Sequence, residues 1–162
     1  MFSRVAALAT ISSLGLAGCS ALSPPIPPSL GEVAPTAKIA RGVVRYVCAP
    51  TGTWAHHSLE AALASADGTP FGRVTGLPTT VWANDGSSVT AREKKILPQE
   101  GANLSWQLLE ANPATGRGVL RGIATIERVN TRGGGVPAGA CAVPGEIRRV
   151  DFQAVYLLSN TQ

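Results

Sequence analysis

Histidine occurs only twice in the 162 residues, at His56 and His57, and cysteine only three times, at Cys19, Cys48 and Cys141. Adjacent histidines on an extended chain point to opposite faces, and no Cys-x-x-Cys pair accompanies them, so a zinc-type Cys/His centre lacks its ligand spacing. No Gly-x-Ser-x-Gly elbow is present, which removes the commonest sequence mark of a serine hydrolase. Glycine is plentiful, yet Gly116-x-Gly118 and Gly133-Gly134-Gly135 do not form the Gly-x-Gly-x-x-Gly turn that a dinucleotide pyrophosphate needs between a strand and a helix. No apolar run reaches the roughly 20 residues of a spanning helix. The net charge of +4 is spread thinly, with basic residues clustered only at 92–95 and 148–149. A nucleic-acid surface needs a longer basic stripe interleaved with aromatics, so no nucleic-acid partner is expected.

The N-terminus carries a signal of a different kind. Arg4 precedes a short apolar stretch over residues 5–16, about the length of a signal-peptide core. The stretch ends at Leu16-Ala17-Gly18-Cys19, a sequence similar to the cleavage box of bacterial lipoproteins. Residues 1–18 are therefore expected to be a leader, and Cys19 the lipidated first residue of the mature chain. More than one acyl chain makes such an anchor stable. In lipoproteins of this kind, a residue other than Asp after the cysteine, here Ser20, directs the protein to the outer membrane of a double-membraned host. An outer-membrane, periplasm-facing location follows, or secretion if the box is not used. Residues 19–38, with five prolines and no hydrophobic periodicity, read as an extended tether.

Residues 39–162 are one domain's worth of chain. With Cys19 assigned to lipid, Cys48 and Cys141 remain as a pair in a compartment that permits disulfides, and a bridge between them is expected. Most of the periodic signal has period two. Val150, Phe152, Ala154, Tyr156 and Leu158 alternate with Asp151 and Gln153, Leu104, Trp106 and Leu108 alternate with Ser105 and Gln107, and Val44, Tyr46 and Cys48 share a face opposite Arg45. Asp67-Gly68 and Asp85-Gly86 read as hairpin turns. Residues 58–66, SLEAALASA, carry helical spacing and alanine-rich propensity but fit a strand in this context. Residues 118–130 read as one long strand, bulged or bent at its glycines. The expectation is an all-β domain, a single antiparallel sandwich or barrel-like fold closed by a disulfide.

Lys38-Ile39-Ala40-Arg41-Gly42 with Tyr46-Val47-Cys48, then Leu104-Ser105-Trp106-Gln107-Leu108, then Arg128-Val129-Asn130-Thr131-Arg132-Gly133-Gly134 with Pro137 and Cys141, and finally Val150-Asp151-Phe152 with Tyr156, follow one another in a fixed order. These blocks resemble the domain-of-unknown-function family numbered 3455, which occurs in exported bacterial and secreted fungal proteins. The resemblance places cysteines at Cys48 and Cys141 and so supports their pairing. It departs at residues 78–82, where Pro-Thr-Thr-Val-Trp replaces a more aromatic segment. A malate dehydrogenase label on some fungal members does not carry over, because the dinucleotide turn is missing.

Arg128, Asn130, Thr131 and Arg132 form the best candidate binding block. Short polar side chains and glycines allow close approach there, and arginine pairs bidentately with carboxylates. Trp82, beside the Asp85-Gly86 turn, is the candidate exposed stacking residue, while Trp106 reads as core. No catalytic or metal-ligating residue and no cofactor is assigned. The expected function is a lipid-anchored envelope module that binds a glycan or protein, or supports the envelope. The alternative is a small envelope-directed hydrolase built around His57 and Asn130-Thr131.

Overall fold

The computed structural model describes residues 36–160. The expected leader, Cys19 and most of the expected tether lie outside the described residues. Eight strands follow in order: β1 (Thr36–Cys48), β2 (Trp54–Ala64), β3 (Pro70–Thr75), β4 (Thr79–Ala83), β5 (Ser88–Leu97), β6 (Trp106–Ala111), β7 (Ile123–Gly133) and β8 (Ile147–Asn160). Each pairs antiparallel with the next, and β8 returns to pair with β1, closing an up-and-down barrel. Closure removes the two free edges of an open sheet, and only the upper parts of β2 and β5 outrun their short neighbours β3 and β4. Thr36, Ala37 and Lys38, expected at the end of the tether, are the first residues of the barrel wall.

Alternation along the strands decides what lies inside. Ala40, Val44, Tyr46 and Cys48 of β1 point inward with Leu59, Ala61 and Leu63 of β2, Val74, Val81 and Val89 of β3 to β5, and Phe152, Ala154, Tyr156 and Leu158 of β8. Each large buried aliphatic contributes about 1.5 to 3 kcal/mol. Residues 58–64 are strand despite their helix propensity, because Leu59, Ala61 and Leu63 face the core while Glu60 and Ala62 face out. Arg41, Arg45, Glu60 and Asp151 lie on the outer surface, so the barrel is mostly apolar within, Arg128 excepted, and charged without, the reverse of a lipid-facing barrel.

Two expectations are corrected. Residues 118–122 form a turn, and β7 begins only at Ile123; Leu120 in that turn is fully buried and plugs the lower end of the barrel. In β6 the inward residues are Gln107, Leu109 and Ala111, while Trp106 and Leu108 are half-buried on the other face. Leu104 is buried as expected, but it precedes the strand. Its N–H donates to Gly133 O at 2.9 Å and its carbonyl accepts from Thr131 Oγ1, and this local pairing breaks the alternation before Trp106.

The upper end of the barrel carries the turns at 49–53, 76–78, 98–105 and 134–146, while the turns at 65–69, 84–87 and 112–122 and the start of β1 lie at the lower end. Asp67 and Asp85 hold their turns as expected: Asp67 Oδ1 accepts from Thr69 N at 3.0 Å, and Asp85 Oδ1 accepts from Ser87 N at 2.9 Å. At the upper end Cys48 and Cys141 are joined by a disulfide with Cα atoms 5.7 Å apart, closing a loop of 93 residues. In the chain-entropy model that closure stabilises the fold by about 4 to 5 kcal/mol.

Candidate functional site

The register of the closed sheet aligns residues that are far apart in sequence. Arg132 of β7 pairs with Gln153 of β8, Gln153 with Arg41 of β1, Arg41 with Ala62 of β2, Ala62 with Arg73 of β3, and Arg73 with Trp82 of β4. One row therefore crosses six strands on the outer face, with arginines on alternate strands roughly 9.5 Å apart along the sheet and small or neutral side chains between them. The Arg73 guanidinium lies 5.0 Å from the centre of the Trp82 ring, within cation–π range.

A groove of about 1020 Å³ opens over the part of this row from Arg132 to Arg73, lined by Arg41, Arg73, Arg132 and Arg149 together with Val43 and Ala62, and Trp82 lies beyond its end. A bulge at His57 in β2, opposite Arg45 and Tyr46, and another at Phe71 in β3, opposite Leu63 and Ala64, bend these strands. The acids in the groove are Glu60 and Asp151. Glu60 is committed to a neighbour, accepting from Arg45 Nη2 at 2.7 Å. That hydrogen bond, followed by the charges of Arg45 and Arg149, holds the Glu60 carboxyl below its usual range. The groove is left with a positive surplus.

The second concavity is the upper mouth of the barrel. The β3–β4 wall is low here, since β4 starts at Thr79 opposite Ala91 and the rest of β5 pairs with β6 alone. A cavity of about 290 Å³ lies behind that wall, lined by His56, Leu59, Leu77, Leu104, Gln107 and Arg128. Arg128 is 7% exposed, and its Nε and Nη2 both donate to Ser105 O, at 3.2 and 2.9 Å. Burial raises the pKa of Tyr46 and of Tyr156, and the positive charge of Arg128 works against both shifts. Burial lowers the His56 pKa, and Arg128 and then His57 lower it further. The Tyr156 hydroxyl is buried without a well-formed hydrogen bond, although it lies close enough to feel the guanidinium.

The candidate block is thus divided. Arg128 and Thr131 face the interior, and Thr131 serves Leu104. Asn130 sits at the bulge between Val129 and Arg132 with a φ of 51°, which reverses the alternation and sends Arg132 outward. Arg132 and Trp82 lie on one row, five strand spacings apart. Trp82 is 38% exposed and Trp54 8%, so Trp82 is the accessible one of the two. Sequence reasoning misses this grouping: Arg41 and Arg73 are isolated outward residues, Arg149 belongs to the short 148–149 pair, and only the strand register brings the three together.

His56 and His57 lie at the bulge at the top of β2, where His56 meets Tyr46 edge-on at 5.8 Å between ring centres. Among the described residues no hydrogen bond joins either histidine to a carboxylate or a hydroxyl, and no group of three His, Cys, Asp or Glu side chains converges on a metal position.

The chain matches no curated protein and no solved structure. β1 and β2, with Cys48 and Arg41, precede the segment that matches a known family, and that segment spans the rest of the barrel. Residues 66–159, more than half of the chain, match the family described as Protein of unknown function (DUF3455), and the chain belongs to that family.

Proposed function

We propose that this protein is a lipid-anchored envelope module whose outer groove holds an acidic glycan. The observation that carries this reading is the register row from Arg132 through Arg41 and Arg73 to Trp82. Arginines pair with the carboxylates of acidic sugars, and Trp82 offers a ring face at the end of the row against which a sugar can stack. The floor of small residues keeps backbone and ligand close. The lipobox at residues 16–19 supports the anchor, and an outer-membrane, periplasm-facing placement follows from Ser20 after Cys19.

The test uses the full-length protein and its retention on peptidoglycan or on a carboxylated polysaccharide. Binding is expected to saturate, to weaken as salt screens the arginines, and to fall at least tenfold in the Arg41→Gln/Arg73→Gln double variant, with smaller losses for Arg132→Ala and Trp82→Ala. Equal retention of the wild type and the double variant removes the groove from the reading. Cys19→Ala, in turn, is expected to release the protein from the membrane fraction.

A further inference from the structure

The groove leaves one charge of the candidate block unused. Arg128 is a guanidinium buried inside a barrel, with two of its five N–H donors spent on a single carbonyl, the Tyr156 hydroxyl beside it and, among the described residues, no salt bridge to a carboxylate. Buried charges are ordinarily paired. Its register partner Gln107 already engages Glu93, the Gln107 Nε2 donating to Glu93 Oε2 at 2.9 Å. Arg128 instead lines a cavity that opens to solvent, where its charge is felt by Tyr46, His56 and Tyr156.

The remaining walls of that cavity are largely apolar. Leu59 and Leu104 are buried in them, and Leu77 stands at the mouth with 67% of its surface in water. An eight-stranded barrel has room for its own side chains or for one small ligand. The volume, about 290 Å³, is at the small end of ligand sites.

We propose that the upper mouth of the barrel is a binding site for a small amphipathic monocarboxylate, whose carboxylate pairs with Arg128 and whose hydrocarbon lies on Leu59, Leu77 and Leu104. A planar guanidinium matches a carboxylate in bidentate geometry. The hydrocarbon covers the leucine that the free protein leaves in water. A phosphate dianion finds one arginine here and no second, and its fully polar surface gains nothing from three leucines. The site is separate from the outer groove and does not depend on what the groove holds.

The experiment is a titration of the full-length protein with hexanoate, with hexan-1-ol and with inorganic phosphate, followed by backbone amide NMR. Hexanoate is expected to shift the amides of Gly76, Thr79, Leu104 and Gln107 saturably, and to bind at least tenfold tighter than hexan-1-ol or phosphate. Arg128→Gln is expected to abolish the saturable shifts. Because Arg128 is also part of the interior, Leu77→Glu supplies an independent arm: it places a negative charge at an exposed position of the mouth and is expected to weaken hexanoate at least tenfold without altering the sheet. Arg73→Gln leaves hexanoate binding unchanged, which separates this site from the groove. Hexan-1-ol or phosphate binding as tightly as hexanoate, or hexanoate binding equally to wild type and Leu77→Glu, overturns the proposal.

Discussion

The hydroxyl of Tyr46 donates to the carbonyl oxygen of Gly134 over 2.7 Å, joining β1 to the loop after β7 across 88 residues of sequence. Both partners are buried. Tyr46→Phe keeps the ring and removes the donor, leaving the Gly134 carbonyl without that partner, so a loss of about 1 to 3 kcal/mol is expected in chemical denaturation. The same residue shapes the alkaline limit. Burial lifts the pKa of Tyr46 and Tyr156 above the ordinary 10.0, so the folded state holds these protons more tightly than the unfolded chain does. That contribution is complete below pH 10 and is lost as pH rises through the raised values. Tyr46→Phe is expected to flatten the fall of stability above pH 10, measured as the pH dependence of the denaturation midpoint.

Gly42 sits inside the barrel between Phe152 of β8 and Ala61 of β2. A Cβ there would run into the Glu60 carbonyl and the Ala61 Cβ. Neither belongs to a flexible side chain that can swing away, so Gly42→Ala is expected to cost about 3 kcal/mol, the upper part of the overpacking range. Gly68→Ala provides the comparison. Gly68 has φ +85°, and a methyl group there would meet nothing within 4 Å, so its cost is conformational only, about 1 kcal/mol. Thermal unfolding of the two variants side by side checks the difference.

Asp85 ties two loops at the lower end. Its carboxylate accepts from Ser87 N at 2.9 Å, Ser87 Oγ at 2.6 Å and Val119 N at 2.8 Å, and the missing side chain of Gly118 makes room for it. The Ser87 hydroxyl, then the Val119 amide, hold its pKa below the ordinary 3.8. A depressed carboxylate contributes stability that is present above the unfolded value and disappears as pH falls through the folded one. Asp85→Ala is expected to lower the melting temperature at neutral pH, and the gap to wild type is expected to close as pH drops below 3.8.

Much of the barrel is legible in the sequence because its strands alternate cleanly. The β8 pattern from Val150 to Leu158 and the β1 pattern of Val44, Tyr46 and Cys48 predict the inward face, and the two Asp-Gly turns fall where they are expected. The exceptions have local causes. Trp106 reads as core only if alternation continues from Leu104, and two hydrogen bonds, Leu104 N–H to the Gly133 carbonyl and the Thr131 hydroxyl to the Leu104 carbonyl, break it. The bulge at Asn130 does the same to the candidate block, sending Arg128 in and Arg132 out. Closure into a barrel, and with it the arginine row, depends on pairing between β1 and β8 and on register across five interfaces. Those are long-range quantities that no window of sequence contains.

The strand directions have a consequence for how the molecule is presented. β1 enters the barrel at its lower end, beneath the Leu120 plug, whereas the cavity beside Arg128 opens at the upper end. Thr36, the first described residue, and the Arg128 cavity therefore stand at opposite ends of the barrel, so a ligand reaches the mouth without passing the start of β1.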